Sequence, residues 1–83
     1  MRINVKTAGL LGRYLPEHGG GNRVELEVAA GATPRDVIAQ LGMPAEATYL
    51  VALNGEIVPA KERATRVLAE HDELSIMPPL RGG

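Results

Sequence analysis

A single helix pattern, with strand patterns on both sides of it, most constrains how this chain can fold. Thr33 is a favourable N-cap, Pro34 suits the first helical position and Asp36 stands three residues after the cap. One apolar stripe follows, made of Val37, Ile38 and Leu41. Gly42 suits the left-handed end of a helix. We therefore predict one helix over about residues 33–41.

Two strands are predicted before the helix. Residues 2–6 and residues 23–28 alternate polar and apolar side chains, which is the period of a strand with one buried face. We expect them to pair as an antiparallel hairpin with a long loop that contains Gly19–Gly21. Four apolar residues in this loop are expected to cover the core as a short helical turn, with an exposed partner patch as the alternative: Leu10, Leu11, Tyr14 and Leu15.

Three strands are predicted after the helix. Residues 49–53 are continuously apolar, which is typical of a strand buried on both faces. Asn54 and Gly55 tolerate positive φ and predict a tight turn into a short strand at residues 57–58. A brief packed segment is expected at residues 67–68, and residues 73–77 alternate as the last strand. The element order predicts an α+β fold, a mixed sheet crossed by one helix.

Size and charge exclude several classes of function. A chain of 83 residues buries only about 60–65% of its unfolded surface, which suits a single domain without a deep active site between lobes. The net charge is -1, and Tyr14 and Tyr49 are the only aromatic residues, so we expect no nucleic-acid partner. With no cysteine, disulfides and thiolate catalysis are excluded, and any sulfur carried must sit on another group.

Chemical motifs of enzymes and metal sites are missing from the sequence. His18 and His71 lack companion ligands at metal spacing, and Gly19–Gly21 is not followed by the lysine of a phosphate loop. We predict no catalytic residue and no metal ligand. The N-terminal residues are too polar for a secretory signal, and no apolar run approaches the ~18 residues of a membrane span. The expected location is the cytoplasm, without membrane contact.

Three segments carry a resemblance to a known family. They are residues 31–38 (GATPRDVI), residues 51–58 (VALNGEIV) and residues 72–83 (DELSIMPPLRGG). In this order and spacing the chain resembles the ThiS/MoaD family of ubiquitin-like sulfur carrier proteins, and within it the small subunit of molybdopterin synthase. The resemblance implies a β-grasp (ubiquitin-like) domain over residues 1–78 and a flexible C-terminal tail over residues 79–83 that ends in Gly-Gly.

The resemblance also implies a function that is not enzymatic. An ATP-dependent activating enzyme would adenylate the carboxylate of Gly83, and sulfur would then replace AMP to leave a thiocarboxylate. A synthase large subunit would use this group as its sulfur donor in molybdopterin biosynthesis, for a molybdenum or tungsten cofactor. No cofactor is expected on the chain itself, because the ATP belongs to the activating enzyme.

Residues near the C-terminus are the predicted site. Gly82 can adopt backbone angles closed to other residues, which suits an extended tail in a narrow channel, and Leu80 and Arg81 complete that tail. Pro78 and Pro79 would project it from the domain. Met77 is predicted to point away from the core and, with these prolines, to contact a partner; the alternative is a minor-core methionine.

Other functions remain open at this point. Arg81 stands where sulfur carriers usually have a small residue, and residues 80–83 match the ending of ubiquitin. One alternative is therefore a protein modifier conjugated through Gly83. Others are a carrier for thiazole synthesis or thiolation, and an interaction domain with an inert tail. His71 also departs from the family, which often has glycine in this turn, and the role of Gly19–Gly21 is open.

Overall fold

Five strands and one helix form the described part of the chain, which in this computed structural model comprises residues 1–8, 14–15, 22–43 and 49–78. The elements are β1 (Arg2–Thr7), β2 (Arg23–Glu27), α1 (Pro34–Gln40), β3 (Leu50–Leu53), β4 (Glu56–Ile57) and β5 (Glu73–Met77), with a 3-10 turn at Ala60–Glu62. The predicted tail over residues 79–83 and the loop glycines Gly19–Gly21 lie outside the described residues.

The strands form one mixed sheet in the order β2-β1-β5-β3-β4. β1 and β5 run parallel, while the β1–β2, β3–β5 and β3–β4 pairs are antiparallel. Val5 lies opposite Leu74 on one side of β5, and Val51 lies opposite Ile76 on its other side. The predicted α+β fold with a mixed sheet is confirmed, and the last strand occupies the centre of the sheet.

The helix Pro34–Gln40 lies within one residue of its predicted bounds at each end, and Thr33 is its N-cap as predicted. Asp36 donates its backbone N–H to the hydroxyl of Thr33 at 3.4 Å, and a carboxylate oxygen of Asp36 accepts the N–H of Thr33 at 3.0 Å. This reciprocal capping box satisfies two N–H groups that a helix start otherwise leaves unpaired. Leu41 is the C-cap, and Gly42 follows with φ +78°. The end therefore requires the left-handed conformation that glycine adopts without strain.

The core lies between α1 and one face of the sheet. Val37 and Ile38 of the helix are buried in the same cluster as the inward-facing strand residues, which are Ile3, Val5, Leu26, Val51, Leu53, Leu74 and Ile76. Leu15 joins this cluster and Tyr14 packs against it, which confirms that this part of the loop covers the core. The other two residues of that prediction, Leu10 and Leu11, lie outside the described residues.

The β3–β4 hairpin is closed by the predicted tight turn. Asn54 and Gly55 have φ values of +51° and +88°, as a turn with two left-handed residues requires. The side chain of Asn54 also holds the turn to β5, because its amide donates to Asp72 at 3.0 Å and its carbonyl accepts the N–H of Glu73 at 2.9 Å. The hairpin is thus fixed to the central strand at the end opposite Met77.

Two short segments differ in detail from their predictions. Leu68 is 3% exposed and donates its N–H to the carbonyl of Ala32 at 2.8 Å, but Val67 is 61% exposed. The predicted packed segment at residues 67–68 is therefore wrong for Val67. The short return strand covers Glu56–Ile57 rather than residues 57–58, and Val58 enters the core directly after it.

Candidate functional site

The candidate site lies on the outer face of the sheet, defined as the face opposite α1. Along β5, Leu74 and Ile76 are fully buried in the core, so Glu73, Ser75 and Met77 point to the other side. Met77 is half-buried and does not belong to the core cluster. Its position agrees with the predicted orientation away from the core, while its contact with a partner remains a prediction.

Four apolar residues of neighbouring strands meet on this face. Met77 lies opposite Leu50, and Ala52 lies opposite Ile57. Ile57 is 57% exposed, whereas Ala52 is only 8% exposed although it is outside the core cluster. Ala52 is therefore almost entirely covered although it does not face the core. We call these residues the apolar patch: Leu50, Ala52, Ile57 and Met77.

The apolar patch lies beside the point where the chain leaves the sheet. β5 ends at Met77, a member of the patch, and the exposed Pro78 follows directly. The other predicted site residues lie outside the described part of the chain: Pro79, Leu80, Arg81, Gly82 and Gly83. The structure thus brings together Met77 and Pro78 with three residues, on β3 and β4, that were not predicted as site residues.

The β1–β2 half of the outer face is polar, and its charges are paired at one end. Arg2 lies 3.3 Å from Glu25 and 3.4 Å from Glu27, and the N-terminal ammonium of Met1 lies 3.0 Å from Glu27. The hydrogen bond and positive charge of that ammonium, followed by the hydrogen bond from Arg2, lower the pKa of the Glu27 carboxyl below its ordinary value. This network occupies the end of the sheet away from Met77.

Neither a group of metal ligands nor a membrane-spanning helix is present in the described residues. Within residues 1–8, 14–15, 22–43 and 49–78, no three His, Cys, Asp or Glu side chains are grouped as a metal site would require. In the same part of the chain, no helix is long and apolar enough to cross a membrane.

The fold and its outer face define a class of protein, the ubiquitin-like β-grasp proteins. The chain belongs to the ThiS family, whose model matches residues 10–83. The family comprises small ubiquitin-like sulfur carriers or modifiers, as the sequence resemblance implied. A comparison with curated proteins finds no match.

Solved structures with the same fold come from several organisms. SAMP1 from Haloferax volcanii is 25% identical, with a TM-score of 0.68 over 100% of both chains. A chain from the complex of subunits 1 and 2 of the molybdopterin-converting factor of Helicobacter pylori is 16% identical, with a TM-score of 0.63 over 100% of both. Urm1 from Trypanosoma brucei is 15% identical, with a TM-score of 0.66 over 99% of this chain and 95% of its own. The last two show the fold alone.

The patch residues of β3 and β4 were missed although the sequence contains the information. A two-residue turn at Asn54-Gly55 places Leu53 opposite Glu56, and therefore Ala52 opposite Ile57. Because Leu53 faces the core, Ala52 and Ile57 must face away from it. An apolar isoleucine on a solvent face was the signal that pointed to the patch.

Proposed function

We propose that this chain is a sulfur carrier that holds sulfur as a thiocarboxylate on Gly83 and docks on its protein partners through the apolar patch. The proposed pathway is molybdopterin biosynthesis, for a molybdenum or tungsten cofactor, and the proposed location is the cytoplasm. In this role the chain is a co-substrate and a subunit, with no catalytic residue of its own.

The observation that carries this proposal is the position of the apolar patch. Met77 belongs both to the patch and to the end of the central strand, so a partner that covers the patch stands where the chain continues toward Gly83. Apolar side chains that are grouped on one face and open to solvent mark interaction sites, and Leu50, Ile57 and Met77 are at least partly exposed here. A partner bound here also contacts the end of β5, which is held by neighbouring strands on both sides.

The proposed chemistry needs no side chain from this protein. The Gly83 carboxylate attacks the α-phosphate of ATP on an activating enzyme, which gives an acyl adenylate and releases pyrophosphate. A hydrosulfide-equivalent nucleophile then attacks the acyl carbon. The bond between this carbon and the oxygen of AMP breaks, AMP leaves, and a carbon–sulfur bond takes its place. Adenylation supplies the leaving group that the free carboxylate lacks. Glycine leaves this carbonyl open to attack, since it has no side chain.

Two protein partners follow from this chemistry. One is the ATP-dependent activating enzyme, and the other is a synthase large subunit that accepts the sulfur. The Helicobacter pylori relative, whose structure is a complex of subunits 1 and 2 of molybdopterin-converting factor, supports a partner of the second kind. Pro78 and Pro79 are proposed to direct Leu80, Arg81 and Gly82 into that partner.

A second candidate function is conjugation to proteins through Gly83. The similarity to SAMP1 at 25% identity favours this function, since a further Haloferax volcanii structure of the same fold, at 22% identity, is named small archaeal modifier protein 1. Both functions begin with the adenylate on Gly83. They differ in the nucleophile, which is sulfur in the first and a lysine amine of another protein in the second.

Intact-mass spectrometry tests the two functions directly. The protein is incubated with the activating enzyme of its native host, ATP and a sulfur source, and the product is fragmented. We expect a mass gain of one sulfur-for-oxygen exchange, located at Gly83. A chain that lacks Gly83 is the control and should show no gain. Isopeptide adducts on lysines, with no sulfur at Gly83, would instead establish the modifier function.

A further inference from the structure

A pair of like charges faces outward at the Met77 end of the sheet. Lys6 on β1 lies directly opposite Arg23 on β2, and both side chains are exposed. Like charges in directly opposed positions destabilise a sheet. Neither cation forms an ion pair with any residue in the described part of the chain. The pair therefore destabilises the isolated domain, and no ion pair among the described residues offsets this effect.

The opposite end of the same two strands is arranged differently. Arg2 lies opposite Glu27 and contacts both Glu27 and Glu25, so positive and negative charges are matched there. On the outer face the acidic residues nearest to Lys6 in register are Glu25 and Glu73, each one diagonal position away. Among the described residues of this face, unmatched positive charge is thus confined to the end where β5 finishes.

The two cations are in register with the apolar patch. One row of directly opposed residues crosses the whole sheet, in the order Arg23, Lys6, Ser75, Ala52 and Ile57. Lys6 and Ile57 are three strand spacings apart, or roughly 14 Å. A surface of ordinary interface size can therefore cover the cations and the patch together. The row is cationic at one end and apolar at the other.

We propose that Lys6 and Arg23 form a docking contact for carboxylates on the protein that activates the C-terminus, next to the apolar groups that cover the patch. This inference rests on the proposed function and adds the charge of its partner. Carboxylates fit because both cations can donate charge-assisted hydrogen bonds and have no acidic partner within residues 1–8, 14–15, 22–43 and 49–78. Because the row is cationic at one end and apolar at the other, a complementary partner binds in one orientation. Attraction between opposite charges also accelerates association.

The test compares two double charge reversals of the full chain. The variant Lys6→Glu with Arg23→Glu reverses the pair. The matched control, Arg35→Glu with Lys61→Glu, makes the same change in net charge at exposed residues of α1 and the 3-10 turn. Initial rates of pyrophosphate release are measured with the activating enzyme of the native host. We expect kcat/KM to fall about tenfold or more for the first variant and to stay within about twofold for the control.

Salt and folding controls distinguish an electrostatic effect on the activation rate from loss of the folded structure. The loss should shrink as ionic strength rises, since screening removes the wild-type advantage. Circular dichroism and thermal unfolding establish that both variants fold. The neutral variant Lys6→Gln with Arg23→Gln should show an intermediate loss.

Each other outcome overturns the inference in a distinguishable way. Normal charging of wild type with equal rates for both charge reversals overturns the docking contact and leaves the sulfur carrier function intact. Failure of the enzyme to activate wild type overturns the proposed function, and the inference with it. Equal rates together with loss of binding to a single-stranded RNA oligonucleotide, in the Lys6 and Arg23 variant alone, would assign the pair to nucleic acid.

Discussion

Ile57 lies directly opposite Ala52 across the β3–β4 hairpin, and the two residues differ sharply in exposure although both face away from the core. The isoleucine is on the edge strand and open to solvent, while the alanine is shielded by its neighbours. Ile57 therefore presents most of the accessible apolar surface of this pair to a partner.

Ile57→Asp should weaken docking without unfolding the domain. The aspartate places a charge in the apolar patch, and its desolvation opposes binding, so we expect kcat/KM for activation to fall about tenfold. Val67→Asp is a matched control, because Val67 is similarly exposed but lies outside the sheet. Rates of pyrophosphate release decide the result. Equal losses in both variants would show that the patch has no special role.

Lys6→Glu should stabilise the domain while slowing activation. The new carboxylate lies opposite Arg23 and replaces a repulsive cross-strand pair by an attractive one. We expect the free energy of unfolding to rise by about 0.2–1 kcal/mol. Urea unfolding measures this change, with Lys61→Glu as the control that gains no opposed cation. A decrease in stability would contradict the assignment of Lys6 and Arg23 as a repulsive pair.

His71→Gly should stabilise the turn before β5. His71 has φ +67° and donates its N–H to the carbonyl of Arg2 at 2.7 Å, a bond that glycine keeps. Glycine removes the strain that a side chain causes in the left-handed region, and this outweighs the greater entropy of glycine in the unfolded chain. We therefore expect the free energy of unfolding to rise by about 0.5 kcal/mol. The midpoint of urea unfolding reports it. His71→Val should move the midpoint the other way, because a β-branched residue tolerates this φ least.

Glu27→Gln should reduce stability near neutral pH and have little effect in acid. The folded pKa of Glu27 is lowered from its ordinary value of 4.5 by the N-terminal ammonium and by Arg2. Its contribution to stability is therefore present above 4.5 and is lost as the pH falls through the lowered folded pKa. Urea unfolding should show that wild type has a higher free energy of unfolding than Glu27→Gln at pH 7, and that this difference disappears at low pH. Added salt should narrow the difference at pH 7, since the groups are exposed.

Local patterns were sufficient for the helix and for the tight turn. Thr33 and Asp36 form the capping box that their spacing indicates, and Asn54 and Gly55 have the positive φ values expected of their residue types. Both features depend on a few neighbouring residues, so sequence alone defines them. The departure at His71 from the glycine that the resemblance implied is also local, because His71 occupies the left-handed region.

Apart from the two hairpins, the sequence patterns did not predict which strands are neighbours in the sheet. Alternation identifies a strand and its buried face, but it does not say which strands are neighbours. The central position of β5 brings Ser75 between Lys6 and Ala52, and this placement creates the row from Arg23 to Ile57. Val67 shows the same limit on a smaller scale, because it is exposed while the adjacent Leu68 is buried in the core.

The central position of β5 also determines how the domain responds to a pulling force. Tension applied beyond Pro78 acts along β5, whose hydrogen bonds to β1 and β3 run across that direction on both sides. The two ladders are loaded in shear, so many bonds must yield together instead of opening one after another. A partner that binds and pulls the C-terminal residues therefore works against the hydrogen bonds of both ladders at once. The domain should stay folded under such a force.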